Sequence, residues 1–245
     1  MKKITYLICS ALLASVLAGC DKNEETVPVG GDAKDPVLSE LTETSINGTA
    51  LGTGVDLAGV ITDEKSGKGI AGIAVTDGYQ FVKTDANGVY QMTRNQLSRN
   101  VYMTVPAEYQ IPLDETYHLP MFYSPGIMTP GKAYRCDFKL KKLDAPETDF
   151  TILMIGDPQC QVINEAARFL GETIPDIRRT MESGTYSPNV YALTLGDITF
   201  DSFYMFDPMV RTMKNIVIGG RYLPIFNSTG NHDHNSRVKA SGNRE

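Results

Sequence analysis

The run FTILMIGDPQ, residues 150–159, decides the fold. Its first seven residues carry no charge and have the length of a strand, as expected for a strand buried on both faces of a parallel sheet. The run stops at Gly156, and Asp157 and Gln159 follow directly. The arrangement recurs twice. NVYALTLG (189–196) leads into Asp197 and Asp201, and RYLPIFNSTG (221–230) leads into Asn231, His232, Asp233 and His234. Between the first two runs, Ala166, Phe169, Leu170, Ile174, Ile177 and Met181 recur near helical spacing, with Asn164 placed to cap the helix. A second helix is expected to start at Asp207, with Pro208 in its first turn. Residues 149–245 therefore read as β-α-β-α-β, with parallel strands and right-handed crossovers.

Open α/β sheets bind ligands beyond the carboxyl ends of their strands. Here three successive strands each end in glycine plus a metal-competent group. One Gly-Asp turn is a weak signal, but three on one edge point to a shared site. Carboxylate, amide and imidazole donors around an open position suit a pair of divalent ions acting on a phosphoester. A neighbouring imidazole can then donate a proton to the departing alcohol.

The ordered set Asp-x-Gln, Gly-Asp-x-x-x-Asp and Gly-Asn-His-Asp resembles the calcineurin-like metallophosphoesterase superfamily over about residues 149–235. The resemblance implies the first β-α-β-α-β half of an α/β/β/α sandwich. It implies Asp157 and Gln159 as ligands of one metal, Asp197 as the bridge and Asn231 as a ligand of the second. His232 is implied as the catalytic imidazole, oriented by Asp233 or Asp201. Gln159 stands where most members have His. A neutral, hard amide oxygen shifts the expected pair of ions, among Mn, Mg, Fe and Zn, toward Mn or Mg. The family fold continues with further histidine ligands, whereas the residues after His234 offer no histidine and no apolar run. A member truncated after this motif, with little or no activity, is the expectation. His234 reads as a polar loop residue.

Upstream, Lys2 and Lys3 precede an apolar stretch that closes on LAGC, the layout of an export signal over residues 1–19. VLAGC resembles the lipobox of bacterial lipoproteins, with Cys20 as the lipidated residue. That implies anchoring in the cell envelope, at the outer membrane. Residues 20–54 are polar, acidic and rich in Gly and Pro at their start, and read as a flexible tether. Residues 55–143 alternate apolar and polar positions between the turns SGKG, TDG and DANG, as in an antiparallel sandwich. Val60, Ile73, Val75, Phe81, Val82, Val89 and Tyr90 are the expected strand residues. The order of these elements is similar to carboxypeptidase-regulatory-like, transthyretin-like modules that act as spacers or docking surfaces. His118 reads as a loop or packing residue, and KKLDAPETD (141–149) as a linker.

The formal charge is −6, with 23 Lys and Arg against 29 Asp and Glu. Without a basic run, non-specific nucleic-acid binding is not expected. Once Cys9 and Cys20 are assigned to the signal and anchor, Cys136 and Cys160 remain, and nothing in their spacing requires a bond. The substrate class left open is a phosphoester of a small molecule, lipid or nucleotide. A non-catalytic surface lipoprotein whose sandwich binds a glycan or protein is the alternative. A haloacid-dehalogenase-like phosphatase lacks its second Asp two positions after Asp157.

Overall fold

The computed structural model describes residues 36–234; the signal, Cys20 and residue 35 lie outside the described residues. It is built mostly of strands in several sheets, a β-rich region followed by a partial α/β region. No helix among the described residues is long and apolar enough to cross a membrane.

The largest sheet has six strands, centred on Leu57–Asp63. This strand pairs antiparallel with Val89–Met92 but parallel with Tyr134–Cys136 and Phe138–Lys142, so the expected all-antiparallel pattern is corrected to a mixed sheet. The break between the last two strands falls at Asp137. Its carboxylate takes the Val60 N–H at 3.0 Å in place of a ladder bond, and Arg135 and Glu43 close around it. A three-stranded sheet of Phe81–Lys83, Ala74–Thr76 and Tyr102–Met103 shares one buried cluster with the large sheet. Ile73 precedes its strand, and Phe81 is exposed.

Tyr90 is fully buried in that cluster, and its hydroxyl donates to the Cys136 carbonyl at 2.6 Å. Gly59 makes this crossing possible, since a Cβ there would sit 1.9 Å from the same carbonyl oxygen. Burial pushes the Tyr90 phenol well above its usual range, so it stays protonated as a donor. Tyr90→Phe leaves that buried carbonyl without its partner. It should cost about 1–2 kcal/mol in urea unfolding, with an unchanged denaturant slope.

Part of the tether expected over residues 20–54 is structured. Leu38–Glu40 pairs antiparallel with Tyr134–Cys136, and Ser45–Ile46 forms a hairpin with Thr49–Ala50. The reason is apolar: Ile46 is buried with Ala58, Val60 and Val89, and Leu38 packs against the main cluster.

In the α/β region the parallel strands Thr151–Ile155, Val190–Thr194 and Ile225–Phe226 lie in that order. Burial on both faces is corrected. Ile155, Val190, Ala192 and Ile225 are buried beneath the helices, while Ile152, Met154 and Leu195 are each more than half exposed on the other face. The third strand is also shorter than expected. Arg221–Tyr222 turns back onto Val217–Ile218, and the chain rejoins the sheet only after Pro224.

The first helix starts at Ile163, capped from Val162 rather than Asn164. Glu165 accepts the N–H groups of Gln161 and Val162, which closes the first turn. Its ladder widens through Phe169–Thr173, where the Ile174 N–H reaches Phe169, before continuing as Ile174–Met181. Pro175 explains the widening, since it has no N–H for the regular ladder. Leu170 is displaced from the apolar face and is exposed. The next helix is Phe206–Met213, so Asp207 lies inside its first turn and pairs with Arg211 at 2.7 Å instead of capping it. Met205, Met209 and Met213, four residues apart, bury its inner face.

The expected linker is pinned. The Glu147 N–H donates to Ala107, and its carboxylate takes the Tyr191 hydroxyl and Arg221 at 2.9 Å. Burial and that carboxylate push the Tyr191 phenol up to about 12. Cys136 and Cys160 are both free and buried.

Candidate active site

Non-glycine residues with positive φ are costly and gather at functional sites. Among the described residues they are Asn47, His118, Asp157, Gln159, Asp197 and Asp201. Four of these six belong to the strand-end motifs, with φ of 35°, 45°, 48° and 51°. The turns after the first two strands thus bend the chain sharply where it leaves the sheet, whereas Gly230 in the third is extended.

The loops are fastened to one another through the backbone. The Gln159 N–H donates to the Asp197 carbonyl at 2.8 Å, and the Cys160 N–H to Ile198 at 3.1 Å. The third loop is tied down by Ser228, whose N–H and hydroxyl bond Thr194 in the second strand. Gly196 then meets Gly230 backbone to backbone. A Cβ on Gly196 would lie 2.6 Å from the Gly230 Cα, and one on Gly230 would lie 2.0 Å from Asp197 Oδ1.

Asp197 is buried at the centre of this arrangement. Its Oδ1 accepts the His232 N–H at 2.9 Å, and its Oδ2 faces the Gln159 amide nitrogen at 3.4 Å. The His232 ring stacks on Phe200 at 4.2 Å, and its Nδ1 lies 3.2 Å from Asp201 Oδ1. With Nδ1 engaged by a carboxylate, Nε2 is the nitrogen left for proton exchange.

Of the two carboxylates expected to orient His232, the structure places Asp201 on the ring. Asp233 instead accepts the N–H groups of Thr199 at 3.0 Å, Gly230 at 3.0 Å and Ile198 at 3.2 Å. Burial acts to raise its pKa, but the backbone donors outweigh it and hold the carboxyl below its ordinary value. Its place is that of a staple between the second and third loops. Asp157, Asn231 and His234 have exposed side chains on the same rim and make no hydrogen bond to the others.

Among the described residues, no three His, Cys, Asp or Glu side chains are grouped to hold a metal ion. The four residues expected as metal ligands offer two carboxylates and two amides, so in type they fit a hard, oxygen-seeking ion. The sequence reading missed the Gly196–Gly230 approach, the Phe200 stack and the role of Asp233. A glycine immediately before each polar motif was the available signal for the first.

One comparison bears on the chain's kinship. Residues 55–143 match the family model described as the N terminal of Calcineurin-like phosphoesterase. The match falls on the β-rich region, whereas the motifs lie in the α/β region, so two separate stretches point the same way. It supports the calcineurin-like phosphoesterase superfamily, whose members generally use divalent metals, and with it a phosphoester hydrolase type. No curated protein and no solved structure matches the chain.

Proposed function

We propose that the α/β region carries the metal-binding and catalytic groups of a metal-dependent phosphoester hydrolase. The observation that supports this best is the meeting of groups from all three strand ends, where Gln159, Asp197, Asp201 and His232 are in direct contact and the first two ends carry their polar residues at positive φ. Asp157, Gln159 and Asp197 would hold one divalent ion, and Asp197 and Asn231 a second, with Mn favoured. When bound, such ions supply hydroxide at neutral pH and neutralise charge on the phosphate. His232 holds a proton at Nε2 for the departing alcohol, Asp201 keeps the ring turned toward it, and Phe200 limits its tilt.

The β-rich region is an accessory sandwich, and a lipid on Cys20 ties the protein to the bacterial cell envelope, facing a phosphoester of a small molecule, lipid or nucleotide.

The test is hydrolysis of bis(p-nitrophenyl) phosphate by the protein extracted from its source membrane, with and without Mn²⁺. Mn²⁺-dependent turnover that drops at least tenfold in Asp197→Asn would support the site and overturn the expectation of a chain with little or no activity. Turnover equal in the two proteins, or equal in EDTA, would reject the reading.

A second reading, a non-catalytic surface lipoprotein, draws on one observation: both Asp197 oxygens already face N–H groups. It requires glycan or protein binding unaffected by EDTA.

A further inference from the structure

One closed loop of the β-rich region reaches into the α/β region. Asp114 fastens that loop, with Oδ1 accepting the N–H groups of Thr116 at 3.0 Å and Tyr117 at 2.7 Å, and Oδ2 that of Leu119 at 2.6 Å. The Asp114 N–H donates to the Leu119 carbonyl at 3.0 Å, and the His118 N–H to the Asp114 carbonyl at 3.1 Å. His118 is thereby held at φ 54°. A side chain with a Cβ keeps that conformation only where its surroundings over-determine it.

Those surroundings lie in the α/β region. The His118 ring stacks on Tyr222 with centroids 3.6 Å apart, and its Nδ1 is 2.6 Å from the Lys214 carbonyl. The contact is answered from the other side, since Lys214 Nζ donates to the Thr116 carbonyl at 3.0 Å and lies over the Tyr117 ring. Phe122 packs against Phe226. The small cleft beside this contact holds about 40 Å³ and is lined by Tyr117, Leu119, Ile198, Val210 and Ile225. It is too small for a ligand, so the loop is closely packed there. A wider cleft of about 520 Å³ lies elsewhere, between residues 105–111 and Ile152, Tyr191 and Phe226.

We infer that the loop around His118 is a positioning element for the His232–Asp201 pair. Asp201 stands just ahead of the helix Phe206–Met213, and Lys214 ends that helix. His232 stands just beyond the strand Ile225–Phe226, and Tyr222 lies just ahead of it. The loop therefore grips the far end of each segment that delivers one member of the pair, and lines a small cleft with Ile198 beside Asp197. The importance given to the pair rests on the proposed function, but the mechanical coupling does not.

Hydrogen exchange read by mass spectrometry on the full chain, without metal or substrate, tests it. His118→Asn removes the stack while its residue type tolerates the left-handed backbone, and Tyr222→Leu breaks the same contact from the other side. In both, peptides covering 195–205 and 227–234 should exchange about tenfold faster, the loss of one closing interaction. Peptides covering Leu57–Asp63 and Ile174–Met181 should keep their wild-type rates. Unchanged rates at 195–205 and 227–234 would overturn the inference and make the loop a passive contact. A uniform rise, including failure to fold, would overturn it in favour of general stabilisation. Selective loosening in a protein with no phosphoesterase turnover under any metal would sink the enzyme reading alone.

Discussion

Gly230→Ala is expected to destabilise the protein by about 3 kcal/mol and to disorder the strand-end loops together. The added methyl would sit 2.0 Å from Asp197 Oδ1 and 2.2 Å from the Asp197 nitrogen. Neither atom can retreat cheaply. Asp197 already stands at positive φ, and Gly196 beside it, at φ 93°, lies against the Gly230 backbone. The His232 N–H bond to Asp197 runs through the same contact. Urea unfolding gives the stability change, and amide chemical shifts of residues 196–201 and 230–233 report the loops. A loss under 1 kcal/mol with unmoved shifts would mean that the two turns can separate without harm.

Asp233→Asn comes next in size, and it separates a structural carboxylate from a catalytic one. Three backbone N–H groups converge on Asp233 from Ile198, Thr199 and Gly230. An Asn keeps one acceptor oxygen and turns an NH₂ toward donors, so at pH 7 the cost should be about 2–3 kcal/mol. The pH dependence follows from the lowered pKa of the folded carboxyl. Its contribution is fully present above the unfolded value near 3.9 and is lost as pH falls below that through the folded value. A protonated Asp resembles Asn, so the gap between wild type and variant should close in that window. Unfolding curves at pH 7 and below pH 3 decide it. A gap that stays open in acid would show that packing, and not the carboxylate charge, sets the difference.

How much of this was legible differs from residue to residue. Thr151–Ile155 and Val190–Thr194 stood out because an uncharged apolar run between glycine turns has few other uses in a folded chain. The convergence of Gln159, Asp197 and His232 followed from strand order alone. The choice between Asp201 and Asp233 did not, since the motifs set both near His232 and only the turn at Gly230 sends Asp233 back to the Ile198 and Thr199 amides. Parallel pairing of Leu57–Asp63 with residues some 77 positions later was equally hidden, because alternation shows a strand's faces and not its neighbours. The same limit applied to residues 36–54, where polar composition concealed Ile46 and Leu38. His118 read correctly as a loop or packing residue, but its partners Tyr222 and Lys214 are about a hundred residues away.

Glu147 bears on how such a chain can be inherited. The segment that looked like a free hinge is bonded backward to Ala107 and forward to Tyr191 and Arg221. Recombination that cut at this junction would leave Glu147 with one fragment and tear it from the other, orphaning either the Ala107 carbonyl or the Tyr191 hydroxyl. The two regions should therefore be found in descendants as a pair, and a swap of either should succeed only when the receiving partner brings its own equivalent of Glu147.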